Sequence, residues 1–203
     1  MVEVDLQLTA DGHLVAFHDW DLDRIAGVPG LVEETALPRL RGLEIRGGGR
    51  FSTLEEILAG LPRELPVNLE LKRRRAEPGA LLAALAAGIG GRSQILVSSF
   101  DWGLLARLRR FLPERPLAPL ADREPSRFLA AAAELGAWSV HCHRRLIDAS
   151  LVGDAAAAGR PVLAYTVNRP AEAQRLLALG VSGLFTDVPA LLREGLGART
   201  PSS

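Results

Sequence analysis

From residue 94 onward, short apolar runs begin at positions 94, 116, 138, 161 and 182, in steps of 22, 22, 23 and 21. Between them lie stretches with helical patterning, at 101–111 (DWGLLARLRRF), 125–135, 171–179 and 189–196. A chain that alternates strand and helix at so even a spacing has few folds open to it, because each helix must carry it back to begin another parallel strand. The reading is α/β, built from βα units. An earlier apolar run at 67–71 and an alternating run at 2–9 bring the strand count to seven.

The strand ends separate a barrel from an open sheet. Polar groups collect toward the C-terminal end of nearly every run: Glu70 and Lys72, Ser98 and Ser99, His141 and His143, Thr166 and Asn168, Thr186 and Asp187. In parallel barrels that end is the rim where loops build the site, whereas a doubly wound sheet gathers its site at one switch point. The even distribution favours a barrel. A (β/α)8 barrel has eight such strands and ~250 residues, so this chain of 203 residues is one unit short. We read residues 1–196 as a single barrel domain and 197–203 (GARTPSS) as a small, polar, fraying tail.

The first third departs from the repeat. Asp11-Gly12 signals a tight turn after the 2–9 strand, and 14–17 is a second short strand ending at His18-Asp19. This predicts a small hairpin inserted after the first strand. Arg46–Arg50 (RGGGR) reads as a flexible turn, and Ser52-Thr53-Leu54-Glu55-Glu56 as a capped helix start. Helix starts are also signalled at Asp101, Pro170 and Pro189, and a helix end at Gly180.

Charge and cysteine narrow the function classes. Lys+Arg and Asp+Glu are 24 each. A balanced chain lacks the basic excess of a nucleic-acid binder, and its one basic run, Lys72-Arg73-Arg74-Arg75, reads as a solvated loop. No stretch reaches the ~18 apolar residues of a membrane span. The acidic, alternating start is not a signal peptide, and the one cysteine, Cys142, forms no internal disulfide, which fits a reducing, cytoplasmic setting. Lys72 is the only lysine, every other basic residue being arginine. A lone lysine against that bias is either chance or a position where a compact ammonium serves and a planar guanidinium does not.

Glu3 and Asp5 are two apart on a strand and so share a face. With Glu70 they would place three carboxylates at one mouth, where a hard cation such as Mg²⁺ or Ca²⁺ relieves the repulsion. Alone, Glu-x-Asp fits two solvated acids as well. Lys72 follows Glu70 by two residues, which suits an anionic substrate such as a phosphate gripped by cation and lysine together. His18, beside Asp19, is a candidate proton donor to a leaving alkoxide. Tyr165 and His141 are candidates to line the substrate pocket, with core packing the other reading of Tyr165. His141 and His143 alternate on one strand, but no third ligand is apparent for zinc, and His13 sits in an exposed turn.

In order along the chain stand E3-x-D5, D11-G12, H18-D19, T53-L54-E55-E56, N68-L69-E70-L71-K72, S98-S99-F100, T166-V167-N168 and G183-L184-F185-T186-D187-V188-P189. This colinear series resembles the glycerophosphodiester phosphodiesterase family over almost the whole chain. The resemblance implies a TIM-type (β/α)8 barrel, one divalent cation on Glu3, Asp5 and Glu70, a catalytic histidine at His18 and a phosphate-facing Lys72. It implies hydrolysis of a small-molecule glycerophosphodiester to glycerol phosphate and an alcohol, with the substrate's own glycerol hydroxyl attacking phosphorus and two histidines moving protons. That places the chain in lipid and glycerol metabolism.

The family's opening His-Arg-Gly strand and the Glu-Asn-Thr helix start have no counterpart, because this chain begins at the Glu-x-Asp strand. The expectation is an incomplete barrel lacking its first strand and helix, poorly soluble or oligomeric, and weakly active. Ser52 stands where the family prefers proline, and Tyr165 where it prefers tryptophan. Two readings compete: a non-catalytic barrel that binds metal or phosphodiester, and a related phospholipase of the same superfamily. The second lacks an exposed apolar loop or a lipid-anchoring cysteine. The alcohol group, the ion and the oligomeric state are not legible.

Overall fold

The computed structural model describes residues 1–197, and of Pro125 and Ser126 the backbone alone. The chain packs as two compact units, Met1–Arg115 and the residues from Pro116 on.

The first unit is built on strand β1 (Val2–Leu8), which turns at Gly12 into β2 (Leu14–Ala16). The pair is antiparallel, with Leu6 opposite Ala16 and Leu8 opposite Leu14, so the expected hairpin is present. Gly12 has φ +86°, a left-handed conformation open to glycine at little cost. A short excursion follows: helix α1 (Asp23–Ala26), a 3₁₀ turn at Val32–Glu34, and helix α2 (Leu37–Arg41). It has its own apolar cluster of Val15, Phe17, Leu22, Val32, Leu37, Leu40 and Phe51, with the Phe17 and Phe51 rings stacked at 5.2 Å. The glycines of Arg46–Arg50 all have positive φ, from +84° to +98°.

Helix α3 (Leu54–Ala59) begins as its sequence indicated. The Thr53 hydroxyl accepts from the Glu56 amide, and the Glu56 carboxylate accepts from the Thr53 amide at 2.9 Å. Strand β3 (Val67–Leu71), helix α4 (Pro78–Ile89), strand β4 (Ile95–Ser99) and helix α5 (Trp102–Phe111) complete the unit. Helix α4 (PGALLAALAAGI) is so uniformly apolar that its periodicity is weak, and the pattern did not single it out; it buries Leu81, Leu82, Leu85 and Ile89. β1 pairs in parallel with β3, and β3 with β4. Their apolar faces are closed, with Leu6, Val67, Leu69 and Val97 fully buried.

The second unit continues the repeat: β5 (Leu117–Ala121), α6 (Pro125–Glu134), β6 (Val140–His143), a 3₁₀ turn at Arg144–Leu146, α7 (Ala149–Ala157), β7 (Val162–Tyr165), α8 (Pro170–Ala178), β8 (Gly183–Leu184) and α9 (Pro189–Gly195). β5 through β8 pair in parallel, each with the next. Pro170 and Pro189 open their helices, where a missing N–H costs nothing. β8 is shorter than the expected 182–186 run, although its neighbours still bond: Ser182 N–H to Val162 O at 2.8 Å and Phe185 N–H to Ala164 O at 2.8 Å. The expected tail lies outside the described residues beyond Gly197. Among the described residues no helix is long and apolar enough to cross a membrane.

Candidate active site

Strand register brings the acids together. In the β1–β3 ladder Asp5 lies opposite Glu70, and Glu3 opposite Asn68. Partners in a parallel ladder point to one side, and residues two apart share that side. Carboxylate oxygens of Glu3, Asp5 and Glu70 all come within 4.8 Å of one another. Asp5 stands in mid-strand because β1 runs on past this level to pair with β2.

The three acids strain one another. Glu70, part-buried among them, is pushed up to about 7 by loss of water and by repulsion from Asp5. Glu3 is pushed up to about 8 by desolvation, then by Asp5 and Glu70. Glu3 is exposed as a residue, and water there screens part of the repulsion. Lys72 is the nearby cation. Its Nζ stands 3.1 Å from Asp5 Oδ1 and 3.8 Å from Glu70 Oε1, and donates to the His18 carbonyl at 2.9 Å. One ammonium does not balance three carboxylates. An oxygen-only donor set with surplus negative charge fits a hard divalent cation.

His18 reaches the same end of the sheet from the other direction. Phe17 N–H donates to the Asp5 carbonyl at 3.1 Å, which hangs the His18 segment on β1. The His18 ring is open to solvent, with its Nδ1 2.9 Å from Asp19 Oδ1. Asp19 is held well down, to about 2, by the Arg24 guanidinium and by His18. Gln7, buried on the β1 face that carries Glu3 and Asp5, donates through Nε2 to the Phe17 carbonyl at 3.0 Å and the Asp19 carbonyl at 2.6 Å. A cleft of about 370 Å³ opens beside these groups, with Asp5, His18 and Arg24 on its polar side and Ile25, Ile45 and Phe51 on its apolar side.

The basic run after Lys72 is fastened down. Arg73 pairs with Asp101 at 2.5 Å, the Arg74 amide donates to Glu33 at 2.9 Å, and Arg75 pairs with Glu34. The run is the expected loop after β3, exposed at Arg74 and Arg75, and it is also tied to the 3₁₀ turn of the excursion and to the cap of α5. Gln7 was missed although its signal was in view, since it continues the i, i+2 face of Glu3 and Asp5. Arg24 had no such signal, because its partner is set by the turn into α1.

In the second unit His141 is fully buried. Its ring lies 4.9 Å from Phe185, its Nε2 is 3.1 Å from Ser139 Oγ, and burial drives its pKa down to about 3. It is a neutral core group with no surface toward solvent. The Tyr165 hydroxyl donates to the Ala121 carbonyl at 2.8 Å, and its ring meets His143 edge-on at 5.8 Å. Asn168 accepts from the Thr186 hydroxyl and the Asp187 amide, each at 3.0 Å, and donates to the Asp187 carboxylate at 2.7 Å. The T-V-N and F-T-D motifs thus bind one another. Arg144 pairs with Glu172 at 3.1 Å.

Comparison with known proteins gives consistent relatives. The model of the glycerophosphoryl diester phosphodiesterase family matches residues 1–191. A glycerophosphodiester phosphodiesterase of Bacillus altitudinis is 29% identical over 203 residues, 93% of this chain and 82% of that protein. A protein of the same name from Caldanaerobacter subterraneus subsp. tengcongensis is 27% identical over 202 residues, 94% of this chain and 83% of that protein. Among solved structures, an Oleispira antarctica phosphodiesterase in complex with the product sn-glycerol-3-phosphate superposes with a TM-score of 0.89. It is 28% identical, over 96% of this chain and 84% of that one.

Proposed function

The chain belongs to the glycerophosphoryl diester phosphodiesterase family, and we propose that Glu3, Asp5, His18, Glu70 and Lys72 carry that family's reaction here. Its fold is accordingly of the α/β, TIM-type barrel class. The reaction is hydrolysis of a glycerophosphodiester to glycerol phosphate and an alcohol.

The observation that carries the assignment is the cluster of Glu3, Asp5 and Glu70 oxygens with Lys72 against it. These three acids would hold one divalent cation, Mg²⁺ or Ca²⁺, both of which prefer oxygen donors. A cation bound there supplies a Lewis acid to the phosphoryl oxygens. Lys72 adds a fixed positive charge on the same face for the phosphate. His18, with Nδ1 turned to Asp19, has Nε2 left to protonate the leaving alkoxide. Tyr165, part-buried and near the end of β7, is proposed as a substrate-binding residue. His141, called a substrate-binding candidate from sequence, is fully buried, and its proposed part is to hold that unit's core.

Incubation of the protein with glycerophosphocholine and Mg²⁺ or Ca²⁺ tests the proposal. Release of glycerol phosphate and choline is the expected outcome. Choline phosphate with glycerol would place the scissile bond on the other side of phosphorus and overturn it. Cation binding without turnover would favour a binding-only barrel, and cleavage confined to phospholipid vesicles would favour a phospholipase.

A further inference from the structure

We propose that Arg24 is a positioning residue for the proton-transfer step, acting through Asp19 to fix the tautomer and orientation of His18. The proposal rests on the reading of His18 as the proton donor and deepens it.

The His18 ring is exposed, so packing does not select its orientation. Two side chains hold the backbone around it by three hydrogen bonds: Gln7 donates to the carbonyls of Phe17 and Asp19, and Lys72 to that of His18. None of these contacts fixes the ring. The contact at the ring itself is Asp19 Oδ1 at Nδ1.

A carboxylate on a surface loop turns freely unless something grips it. Arg24 grips it at both oxygens, Nε to Oδ2 at 2.5 Å and Nη2 to Oδ1 at 2.8 Å. This forked pairing fixes the plane of the carboxylate as well as its charge. Arg24 is itself tethered, since its carbonyl accepts from Arg46 Nη1 at 3.2 Å. The chain of contacts runs from Arg46 to Arg24, to Asp19, to the ring.

The chemical consequence is specific. With Nδ1–H committed to Asp19, Nε2 is the nitrogen that faces chemistry. As the bond from phosphorus to the leaving oxygen breaks, the electron pair goes to that oxygen. The Nε2 proton follows, leaving a neutral imidazole with Nδ1–H still bound. The proton donor is thus the imidazolium, both nitrogens carrying hydrogen. If Asp19 swings away, that ring divides between orientations and Nε2–H less often faces the leaving oxygen, and the neutral ring left behind divides between tautomers.

Nitrogen NMR of the His18 ring tests this without requiring turnover, with His18→Gln used to assign the signal. Wild type is expected to show predominantly the Nδ1–H form in the neutral ring. Arg24→Ala and Asp19→Asn are expected to show a mixture, and Arg24→Lys an intermediate, because an ammonium does not grip both oxygens in one plane. Thermal melts of each variant establish that the fold is kept.

In turnover, Arg24→Ala is expected to lose ~10–100-fold on an alkyl leaving group, part of the ~10²–10⁴ that a general acid supplies. It should lose far less on the p-nitrophenyl ester, whose leaving group needs no proton. An unchanged tautomer in folded Arg24→Ala, or equal losses on both substrates, would overturn the role of Arg24. Wild-type rates in His18→Gln on both substrates would overturn the reading of His18 instead, and the NMR result would still decide whether Arg24 orders the ring.

Discussion

Lys72 meets three oxygens at once: a carboxylate on β1, a carboxylate on β3 and the carbonyl of His18. Three rotatable donors on a compact ammonium satisfy that arrangement, and a planar fork does not. Lys72→Arg keeps the charge, yet it is expected to lower kcat/KM by ~10²-fold, the scale of a misplacement of about 1 Å near the chemistry. Near-wild-type kinetics would mean that the lone lysine survived by chance. Glu3 and Glu70 yield a prediction about pH. A carboxyl whose pKa rises on folding binds more protons folded than unfolded between the two values. Its stabilisation is complete below pH 4.5 and is lost as pH rises through about 7 to 8. Chelated protein is therefore expected to melt at a lower temperature at pH 8 than at pH 5. The increment on adding Mg²⁺ or Ca²⁺ should grow over the same range, because a cation competes with those protons. A flat metal-free profile across that window would contradict the crowding of the acids.

At the scale of elements, the excursion between β2 and α3 positions His18, and its own small core holds it. Phe51, 1% exposed, stacks on Phe17, the residue before His18. Phe51→Ala is expected to cost about 3–5 kcal/mol in urea denaturation, as other buried Phe truncations do, and to lower turnover with it. A cost under ~1 kcal/mol would show that the cluster does not brace the loop. The βα repeat, the hairpin after β1, the caps at Thr53 and Asp101 and the helix starts at Pro170 and Pro189 were legible, because each rests on chemistry within a few residues. The excursion was legible only as an interruption. Helices α1 and α2 have 4 and 5 residues, too short for a periodic signal, and tertiary contacts order them. Helix α4 was hidden for the opposite reason, its apolar residues leaving no face to contrast. The shortness of β8 depends on where its neighbours' backbones stop pairing, which no local pattern encodes.

At the scale of the molecule, the site residues are spread from Glu3 to Lys72 in sequence and meet only through the β1–β3 register and the return of the chain through β2. Same-face spacing on one strand was readable for Glu3 and Asp5. Their convergence with Glu70 at one mouth was readable from its place near a strand end and from the resemblance to a family, but the pairing of Asp5 with Glu70 was not, since parallel register is set by packing across the whole sheet. The contacts of Gln7 and Arg24 to the His18 segment were not readable at all. The most direct test of the account is calorimetric titration of Mg²⁺ or Ca²⁺ into chelator-treated protein, with release of glycerol phosphate from glycerophosphocholine followed in the same samples. One cation per chain, turnover that rises with its occupancy, and loss of both in Glu70→Ala are the predicted results. A folded sample that binds no cation, or one that turns over equally well in excess chelator, would contradict it.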